Sequence, residues 1–427
     1  MTKRQQKSYP LDNVSIFIEK CLSWAHDFSH CTYFNPNNVP YPFDSFEHFM
    51  AVGCRHEVSF DGIDDFEKLK EHYESNKEWL VGYLGYDLKN QLEKLESVHP
   101  DRNKFHPVYF YIPEHLIHFN SNHVVISSFD DPDAIYKQIA QSITTKPSEI
   151  GTIRVTPNVT KEQYLKTVKT IQQHIVEGDV YELNYCMEFY SEQTDCEPLS
   201  LYDQLVKFSP TPFSVFQKIE DQYLICASPE RFIKKTKNKL ISQPIKGTIK
   251  RGQTSEEDVI LQYQLKHSEK ERAENMMIVD LVRNDLAKSS MPGSVKVEEM
   301  FGVYPFKHLH QMISSISGEL NKDVHLIDAI KHAFPMGSMT GAPKIMAMNL
   351  IEKYETSKRG LFSGTVGYIT PDGDFDFNVV IRSIFYNAQS KVLSFQVGSA
   401  ITYDSDPEQE YEECLLKAKA IQQVLNQ

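Results

Sequence analysis

Apolar and polar positions alternate at helical spacing over residues 160–178. Tyr164 and Val168 begin a series of apolar residues at steps of four, three and four, which places them on one helix face. Thr160 and Gln163 have the spacing of a capping box, in which each side chain bonds the backbone N–H of the other residue. Gly178 suits the left-handed turn that ends many helices. The pattern predicts a helix that begins after Thr160 and ends at Gly178.

The other predicted elements are helices and short strands in irregular order. A long helical pattern runs over 255–287, and a last helix has Asp406 as N-cap, Pro407 as first residue and continues to Val424. Strand-like runs lie at 79–86, 123–126, 180–189, 223–227, 240–243 and 392–397, and we expect 223–227 and 240–243 to form a pair. Helices and strands do not alternate as in a doubly wound sheet. The predicted fold class is therefore α+β.

A polar stretch divides the chain into two parts. Residues 142–158 contain few apolar side chains but include Pro147, Gly151 and Pro157, which favour turns and loops. We interpret this stretch as a connection between an N-terminal region, residues 1–141, and a C-terminal catalytic region, residues 159–427. Both regions are expected to belong to one interwoven domain.

Composition and charge restrict the classes of function. The 427 residues are 41% hydrophobic and 24% charged, which is typical of a soluble globular protein with a substantial core. The net charge is −13, and no long run of Lys or Arg offsets it. This balance is unfavourable for binding nucleic acid phosphates. An anionic small-molecule substrate would require positive charge supplied within its own site.

The cysteine pattern and the lack of a long apolar segment bear on location. The seven cysteines are scattered and include no Cys-x-x-Cys pair, which argues against a disulfide framework and a structural zinc site. No segment approaches the ~18 apolar residues that span a membrane, and the basic N-terminus is not followed by the apolar core of a signal peptide. These features predict a cytoplasmic protein that does not associate with membranes.

Two pairs of glutamates are candidate metal ligands. Glu271 and Glu274 lie three residues apart in one predicted helix, as do Glu410 and Glu413 in another. Four carboxylates brought together repel one another unless a cation or protons compensate them, and ligation by oxygen alone suits Mg²⁺. The alternative is that each pair is a solvated helix surface, since the spacing does not show that the helices meet.

Three further segments contain candidate chemistry. Lys246 follows a predicted strand in the segment 244–248 (PIKGT), where it is either a desolvated nucleophile or a solvated loop lysine. Residues 334–344 (FPMGSMTGAPK) precede a helical pattern, and either present backbone N–H groups to an anion or form an ordinary turn. Gly398 and Ala400 follow the strand 392–397, where small residues allow either close approach by a ligand or a simple bend.

Together these segments resemble the chorismate-utilising enzymes, a family that includes anthranilate synthase component I, aminodeoxychorismate synthase component I, isochorismate synthase and salicylate synthase. The matching segments are SPERF at 228–232, PIKGT at 244–248, ENMMIVDLVRND at 274–285, FPMGSMTGAPK at 334–344, RGLFSGTVGY at 359–368, NVVIR at 378–382, and the stretch 397–417. So many matches in one order are specific for the family. The resemblance implies an α/β sandwich of two large, mostly antiparallel sheets flanked by helices, with the active site between them.

The resemblance also implies roles for individual residues. Glu274 and Glu413 would bind Mg²⁺ directly, and Glu271 and Glu410 would reach it through water. Several groups would bind the dianionic substrate: Arg382 at the enolpyruvyl carboxylate, the backbone N–H groups of Gly398 and Ala400 and the charge of Lys417 at the ring carboxylate, and Ser338 near the reacting ring.

Lys246 distinguishes members within the family. Aminodeoxychorismate synthases typically carry Lys at this position, whereas anthranilate, isochorismate and salicylate synthases usually carry Ala. The implied reaction is amination of chorismate at C4 to 4-amino-4-deoxychorismate, for para-aminobenzoate and folate synthesis. Lys246 would attack C2 while Glu230 protonates the departing C4 hydroxyl, and ammonia would then replace the lysine. We expect a glutamine amidotransferase partner in a heterodimer to supply the ammonia, because no cysteine lies in an amidotransferase motif.

Four positions depart from the family pattern. Glu182 stands where the hydrating enzymes have Lys and the ammonia-using members commonly have Gln, so hydration is disfavoured. Phe362 replaces a frequent Tyr, and Ala400 replaces the second of two glycines. Gln311 aligns with a His of the anthranilate synthases, which weighs against elimination of pyruvate.

Three alternatives to this function are considered. The nearest is anthranilate synthase component I, which differs chiefly at Lys246 and Gln311. A chorismate-binding regulatory subunit without catalysis would have no need of Glu230 and Lys246. A non-enzymatic, carboxylate-rich metal protein would leave Arg382 unexplained.

Overall fold

Two large antiparallel sheets form the framework of the protein, in a computed structural model that describes residues 3–144 and 151–426. The predicted connection at 142–158 lies partly outside these residues. Over the described ranges the chain forms 22 strands and eleven α-helices. The strands are β1 (Gln5–Pro10), β2 (His30–Asn35), β3 (Phe49–Val52), β4 (His56–Phe60), β5 (Leu80–Leu84), β6 (Val108–Ile112), β7 (His115–Phe119), β8 (His123–Ser128), β9 (Thr156–Pro157), β10 (Glu182–Ser191), β11 (Phe213–Ile219), β12 (Gln222–Ser228), β13 (Arg231–Thr236), β14 (Lys239–Gln243), β15 (Ile245–Lys250), β16 (Lys296–Pro305), β17 (Leu309–Glu319), β18 (Gly341–Ala342), β19 (Thr365–Ile369), β20 (Phe375–Asn378), β21 (Ser383–Asn387) and β22 (Val392–Ile401). The helices are α1 (Val14–Ala25), α2 (Asp65–Asn76), α3 (Lys89–Leu92), α4 (Pro132–Gln141), α5 (Lys161–Glu177), α6 (Pro198–Phe208), α7 (Ser255–His267), α8 (Glu269–Ala287), α9 (Leu326–Ala333), α10 (Lys344–Tyr354) and α11 (Pro407–Leu425).

Each sheet combines strands from distant parts of the chain. Sheet I has the order β1-β8-β7-β3-β2-β11-β12-β21-β22-β10-β18, with β9 beside β10. Sheet II has the order β15-β17-β14-β13-β20-β19-β5-β6-β4, with β16 beside β17. Strands that precede residue 130 therefore pair with strands that follow residue 210 in both sheets, at β2–β11 and at β5–β19. The predicted α+β class and the two-sheet sandwich are confirmed.

Alternation along the strands divides the apolar core into two layers. Tyr33 in β2 and Met50 in β3 belong to a cluster that packs sheet I against helices that include α1, α5 and α11. Phe34 and Ala51, the next residue of each strand, belong to a cluster that combines side chains of both sheets and continues under α2, α8 and α9. Because successive strand residues point to opposite faces, one strand supplies both layers.

The helices with predicted caps form as expected. In α5 the Thr160 hydroxyl accepts from the Gln163 N–H at 3.2 Å, the Gln163 side chain accepts from the Thr160 N–H at 2.8 Å, and Gly178 ends the helix with φ +85°. In α11 the Asp406 carboxylate accepts from the Gln409 N–H at 2.9 Å. Both predictions are confirmed.

The helical pattern over 255–287 is two helices, so the prediction of one long helix is wrong. Ser268 separates α7 from α8, because its backbone is extended with φ −65° and ψ 116°. Its hydroxyl accepts a hydrogen bond from the Glu271 N–H at 3.4 Å and so caps the start of α8. A serine can satisfy a helix N-terminus in this way, which offsets the loss of a continuous helix.

Three predicted strand relationships are also corrected. The runs 223–227 and 240–243 form β12 and β14, but these lie in different sheets and do not pair. Lys246 lies within β15 rather than in a loop. Gly398 and Ala400 lie within β22, which continues past its apolar run. Pairing with a strand distant in sequence keeps both segments extended: β17 pairs with β15, and β10 pairs with β22.

Among the described residues, no helix is both long enough and apolar enough to cross a lipid bilayer.

Candidate active site

Glu230 lies where the chain crosses from one sheet to the other. The chain leaves sheet I at Ser228, the end of β12, and enters sheet II at Arg231, the start of β13. The Ser228 hydroxyl accepts a hydrogen bond from the Glu230 N–H at 3.2 Å. The Glu230 carbonyl accepts one from the Val379 N–H at 3.0 Å. These bonds hold the backbone of Glu230 in place between the sheets.

The Glu230 carboxyl is buried and titrates near neutral pH. The residue is 4% exposed, and burial raises the pKa of Glu230 to about 7. A hydrogen bond with Ser338 and the charges of Lys246 and Arg382 act to lower this pKa but do not outweigh burial. A carboxyl whose pKa lies close to the operating pH is suited to donate a proton and later accept one.

Lys246 and Glu182 form an ion pair that joins the two sheets. Lys246 belongs to β15 of sheet II, and Glu182 begins β10 of sheet I. Lys246 Nζ donates to Glu182 Oε1 at 2.5 Å, and the two side chains are 10% and 1% exposed. Burial acts to lower the pKa of Lys246, but the carboxylates of Glu182 and Glu274 outweigh it and leave the pKa above its ordinary value. The structure therefore holds Lys246 as a desolvated ammonium ion.

A β-bulge sets the position of Lys246. The register between β15 and β17 shifts between Ile245 and Thr248, and Gly247 within this segment has φ +97°. A Cβ atom at Gly247 would lie 3.0 Å from Glu271 Oε2 on α8. Bulges redirect side chains, and glycine adopts positive φ without strain. Glycine is required here by the backbone conformation and by the close packing of α8.

Helices α8 and α11 bring four glutamates into electrostatic range of one another. Glu271 and Glu274 lie on α8, and Glu410 and Glu413 lie on α11. Burial, reinforced by the charge of Glu413, raises the pKa values of Glu271 and Glu410. Burial raises the pKa of Glu274 to about 7, and Lys270 experiences the charge of all four carboxylates. Both predicted acidic pairs therefore lie within electrostatic range of Lys270, and we call the region between them the acidic space.

The donors around this space fit a hard divalent cation. Carboxylate oxygens are ligands that Mg²⁺ prefers, and a cation would offset both the burial and the mutual repulsion of these charges. Within residues 3–144 and 151–426, no three of the four carboxylates each place an oxygen within 4.8 Å of the others. These carboxylates are therefore not at metal-ligand spacing in this structure.

Arg382 contributes positive charge, and no carboxylate of the described residues forms an ion pair with it. It lies before β21 with a left-handed φ of +54°. Burial lowers the pKa of Arg382, and the carboxylates of Glu413 and Glu230 oppose this change from a distance. A guanidinium remains charged in proteins and can bind a carboxylate through two parallel hydrogen bonds. Arg382 can therefore bind an anionic ligand that lies near both Glu413 and Glu230.

One edge of β22 is open beside the acidic space. This strand pairs with β10 throughout but with β21 only as far as Ser394, so the following residues have a strand partner on one side. Gly398 and Ala400 lie in this part. Lys417 on α11 is 2.6 Å from Glu413 and donates to the Gly398 carbonyl at 2.9 Å. Unpaired backbone groups at a strand edge, together with this lysine, can bind an anion.

Buried Arg359 anchors the loop that contains Ser338. Its guanidinium donates to the Met339 carbonyl at 2.6 Å and to the Asn184 carbonyl at 2.9 Å, and pairs with Glu355 at 2.6 Å. These bonds tie the loop to β10. Ser338 is therefore held beside Glu230 by sheet I.

A small cavity of about 20 Å³ adjoins Glu230. Its wall includes Glu230 and Ser338 on the polar side and Val282 and Met336 on the apolar side. This volume has room for about one water molecule beside the buried acid.

Local spacing does not reveal the contacts of two residues of this site, although the family resemblance had singled out Glu182. Glu182 contacts Lys246 across 64 residues of chain, a separation that local spacing does not report. Asn275 donates to the Lys246 carbonyl at 3.2 Å and accepts from the Ser314 hydroxyl at 2.6 Å, which ties α8 to β15. Asn275 could have been found from its position in 274–285, one of the segments that resemble the chorismate-utilising family.

Comparison with known proteins gives relatives of two activities. A protein-family model described as chorismate binding enzyme matches residues 30–423. The chain is 32% identical over 361 residues to aminodeoxychorismate synthase component 1 of Bacillus subtilis, covering 81% of this chain and 76% of that protein. It is 33% identical over 349 residues to anthranilate synthase component 1 of Saccharolobus solfataricus, covering 81% and 80%. It is also 42% identical over 287 residues to a probable chloroplastic aminodeoxychorismate synthase of Oryza sativa, a match that covers 66% of this chain but 32% of that protein.

Solved structures share the fold. Anthranilate synthase component I from Streptococcus pneumoniae superposes with a TM-score of 0.77 at 26% identity, covering 90% of this chain and 93% of that one. The menaquinone-specific isochorismate synthase from Escherichia coli superposes with a TM-score of 0.76 at 17% identity, covering 100% and 95%, and bears on the fold alone.

Proposed function

The chain belongs to the family of chorismate-binding enzymes, and we propose that it aminates chorismate at C4 with ammonia to give 4-amino-4-deoxychorismate. The observation that carries this proposal is Lys246, an amine buried beside Glu182 and within electrostatic range of Glu230. An amine and a protonated carboxyl in one site supply the nucleophile and the acid that the reaction needs. The relatives alone do not decide the product, because aminodeoxychorismate and anthranilate synthases match at 32% and 33% identity.

The charges of the site match a dianionic substrate. Arg382 would bind the enolpyruvyl carboxylate, and the open edge of β22 at Gly398 and Ala400 would bind the ring carboxylate with the help of Lys417. Ser338 would contact the substrate near its reacting ring. The net charge of −13 makes such local cations necessary, since the protein as a whole repels an anion.

Mg²⁺ is the proposed cofactor, and the four glutamates of α8 and α11 would hold it. Glu274 and Glu413 are proposed as direct ligands, with Glu271 and Glu410 acting through water. When bound, Mg²⁺ neutralises the ring carboxylate and stabilises negative charge that shifts into the conjugated system. The support is the burial of Glu410 and the partial burial of Glu271 and Glu274, which raise their pKa values, that of Glu274 to about 7.

Two residues of the chain carry the bond changes. The neutral amine of Lys246 forms a bond to C2, the two conjugated ring double bonds shift towards C4, and the C4–O bond breaks as Glu230 donates its proton, so that water leaves. Ammonia then forms a bond to C4, the two double bonds shift back, and the bond between Lys246 and C2 breaks. The Glu230 carboxylate accepts a proton from the new amino group. The sum is chorismate plus ammonia giving 4-amino-4-deoxychorismate plus water.

A glutamine amidotransferase subunit is the proposed source of the ammonia. The relatives from Bacillus subtilis and Klebsiella aerogenes are named component 1, which accords with a separate second component. The working enzyme would then be a heterodimer that supplies para-aminobenzoate and folate synthesis.

Product analysis tests the proposed function. The purified chain would be incubated with chorismate, Mg²⁺ and excess ammonium, and the products identified by mass spectrometry. The expected product is aminated and retains the enolpyruvyl group. Its formation should stop when ammonium is omitted or Mg²⁺ is chelated. Anthranilate with free pyruvate would overturn the proposal and establish the second candidate.

That second candidate is anthranilate synthase component I. The match to the Saccharolobus solfataricus protein, which extends over four fifths of both chains, favours it. Lys246 and Gln311 count against it. Gln311 is buried in β17, and its Oε1 has no hydrogen-bond partner in the described part of the chain.

A further inference from the structure

The proposed function leaves one proton without a destination. Lys246 can attack C2 only as a neutral amine, because an ammonium ion has no lone pair. The structure holds Lys246 as an ammonium ion, since Glu182 and other carboxylates raise its pKa. A proton must therefore leave Nζ before the first bond forms, and a desolvated site offers no bulk water to receive it.

Glu182 is the group placed to receive this proton. Its Oε1 lies 2.5 Å from Lys246 Nζ. Among the described residues, no other group accepts a hydrogen bond from this Nζ. Its Oε2 is buried and has no hydrogen-bond partner there. An ionised carboxylate with an unsatisfied buried oxygen carries a desolvation cost. Moving the proton from Lys246 to Glu182 removes both buried charges in one step.

The other carboxyl groups near Lys246 have different tasks. Glu230 must keep its own proton for the departing C4 hydroxyl, and its hydrogen bonds are with Ser338 and the backbone of Ile245. Glu274 acts on Lys246 through its charge and pairs with Lys270 at 3.9 Å. Neither group makes a hydrogen bond to Nζ.

We propose that Glu182 is a catalytic acid–base residue that takes the proton of Lys246 before attack and returns it after release. This inference rests on the proposed amination reaction. Glu182 accepts one proton, Nζ forms its bond to C2 and becomes a secondary ammonium group, and the C4 hydroxyl leaves as water with the proton of Glu230. After ammonia has bonded to C4 and the C2–Nζ bond has broken, Lys246 is again neutral. Glu182 then returns its proton, and each residue regains its starting state.

Glu182 and Glu230 thus transfer protons at different ring carbons of the substrate, C2 and C4. Glu182 handles the proton of the amine that attacks and leaves at C2. Glu230 handles the protons of the hydroxyl that leaves C4 and of the amine that replaces it. They lie on different elements, at the start of β10 and at the crossing between β12 and β13. With this division, neither carboxyl group has to serve both the attacking amine at C2 and the leaving group at C4.

Covalent capture of Lys246 tests this role. The protein would be mixed with chorismate and Mg²⁺ without ammonium, quenched with acid, and analysed by intact-protein mass spectrometry and peptide mapping. The parent protein should gain the mass of chorismate less one water at Lys246. Glu182→Gln keeps the shape and one hydrogen bond but cannot accept a proton, so its rate of adduct formation should fall by about 10²-fold or more.

Two further variants separate proton transfer from positioning. Glu182→Asp retains a proton acceptor one methylene shorter, and its rate should lie between those of the parent and Glu182→Gln. Glu188→Gln is the matched control, because Glu188 is also buried in β10 but pairs with Arg102 at 2.5 Å. It should form the adduct at the parental rate. The KM for chorismate of Glu182→Gln should stay within about threefold of the parent, because proton transfer acts on kcat.

Three outcomes would overturn the inference. Glu182→Gln could form the adduct as fast as the parent, or faster, which would mean that the carboxylate only restrains Lys246. Equal losses in Glu182→Asp and Glu182→Gln would mean that the side chain only positions the lysine. If the parent makes neither the adduct nor the aminated product, the proposed function itself fails, and this result is distinct from both others.

Discussion

The two ends of the candidate site differ in how their charges are compensated. We call Glu182, Glu230 and Lys246 the amine end, and the four glutamates of α8 and α11 the carboxylate end. At the amine end, Lys246 is bound to Glu182 at 2.5 Å and Glu230 is hydrogen-bonded with Ser338. Each group there has a partner within the protein.

At the carboxylate end the protein leaves negative charge only partly compensated. Burial raises the pKa values of Glu271, Glu274 and Glu410, and Lys270, whose side chain is 56% exposed, is a weak counter-charge. Lys417 pairs with Glu413. The amine end is therefore organised by the protein itself, whereas we propose that the carboxylate end gains stability when a cation binds. Changes at the amine end should affect catalysis without altering metal binding, and changes at the carboxylate end should affect metal binding and stability together.

The largest effect is expected from removal of the nucleophile at the amine end. Lys246→Ala should lower kcat/KM for amination by about 10⁴-fold, because Lys246 is the lysine of the described residues that pairs with Glu182. Product formation with excess ammonium measures the loss, and isothermal titration calorimetry should show Mg²⁺ affinity close to that of the parent. Lys250→Ala is the control, since Lys250 is exposed on the same strand. Activity within tenfold of the parent would remove Lys246 from the mechanism.

Removal of the acid should have the next largest effect. Glu230→Gln should lower kcat/KM by about 10³-fold, because the C4 hydroxyl then leaves without a proton donor. Since burial raises the pKa of Glu230 to about 7, the parent keeps the acid protonated below pH 7 and loses it above. Its kcat/KM should fall about tenfold per pH unit above 7. A pH profile of initial rates measures this, and Glu230→Gln should lack that dependence.

A second variant checks the assignment of the pH dependence. The hydrogen bond from Ser338 lowers the pKa of Glu230, so Ser338→Ala should raise it and move the fall in rate to higher pH. A fall that stays at the same pH in Ser338→Ala, or that persists in Glu230→Gln, would assign the titration to another group.

Local sequence signals predict those parts of the fold that depend on neighbouring residues. The caps at Thr160 and Asp406 are such signals, and both helices begin where expected. The break at Ser268 was missed because a serine can either lie within a helix or cap one, and local spacing does not distinguish the two. The runs 223–227 and 240–243 are close in sequence, which led to the prediction that they pair. Their actual partners include β21 and β17, which are distant in sequence.

The candidate site shows the same division between local and distant information. Helical spacing places Glu271 with Glu274, and Glu410 with Glu413, on common faces. It does not place the two helices near each other, and only the resemblance to a family supplied that expectation. The contact between Glu182 and Lys246 depends on the approach of β10 to β15 from different sheets, which no spacing in the sequence reports.

Arg382 connects the two ends, and its replacement should have an intermediate effect. Its charge reaches both Glu413 and Glu230. Arg382→Lys keeps the charge but loses the paired donors that fit a carboxylate, so the KM for chorismate should rise about 10- to 100-fold with kcat within about threefold. Steady-state kinetics measure both values. Arg283→Lys, an exposed position of α8, is the control. An unchanged KM would place the enolpyruvyl carboxylate elsewhere.

The smallest effect is expected at the carboxylate end, and its sign depends on the cation. Without Mg²⁺, Glu271→Gln removes one of several buried, mutually repelling charges, so the protein should become more stable by about 0.5–1 kcal/mol. With Mg²⁺, the same variant loses an oxygen that orients the ion or its water, and Mg²⁺ affinity should fall about tenfold. Thermal unfolding with and without Mg²⁺ measures both: the melting temperature should rise in chelator and gain less from added Mg²⁺ than the parent does.

Glu412→Gln is the control, because Glu412 is exposed on α11 and pairs with Lys161. Lower stability in chelator would mean that the carboxylate end is already compensated by the protein, and the two ends of the site would then not differ in the way inferred from their charges.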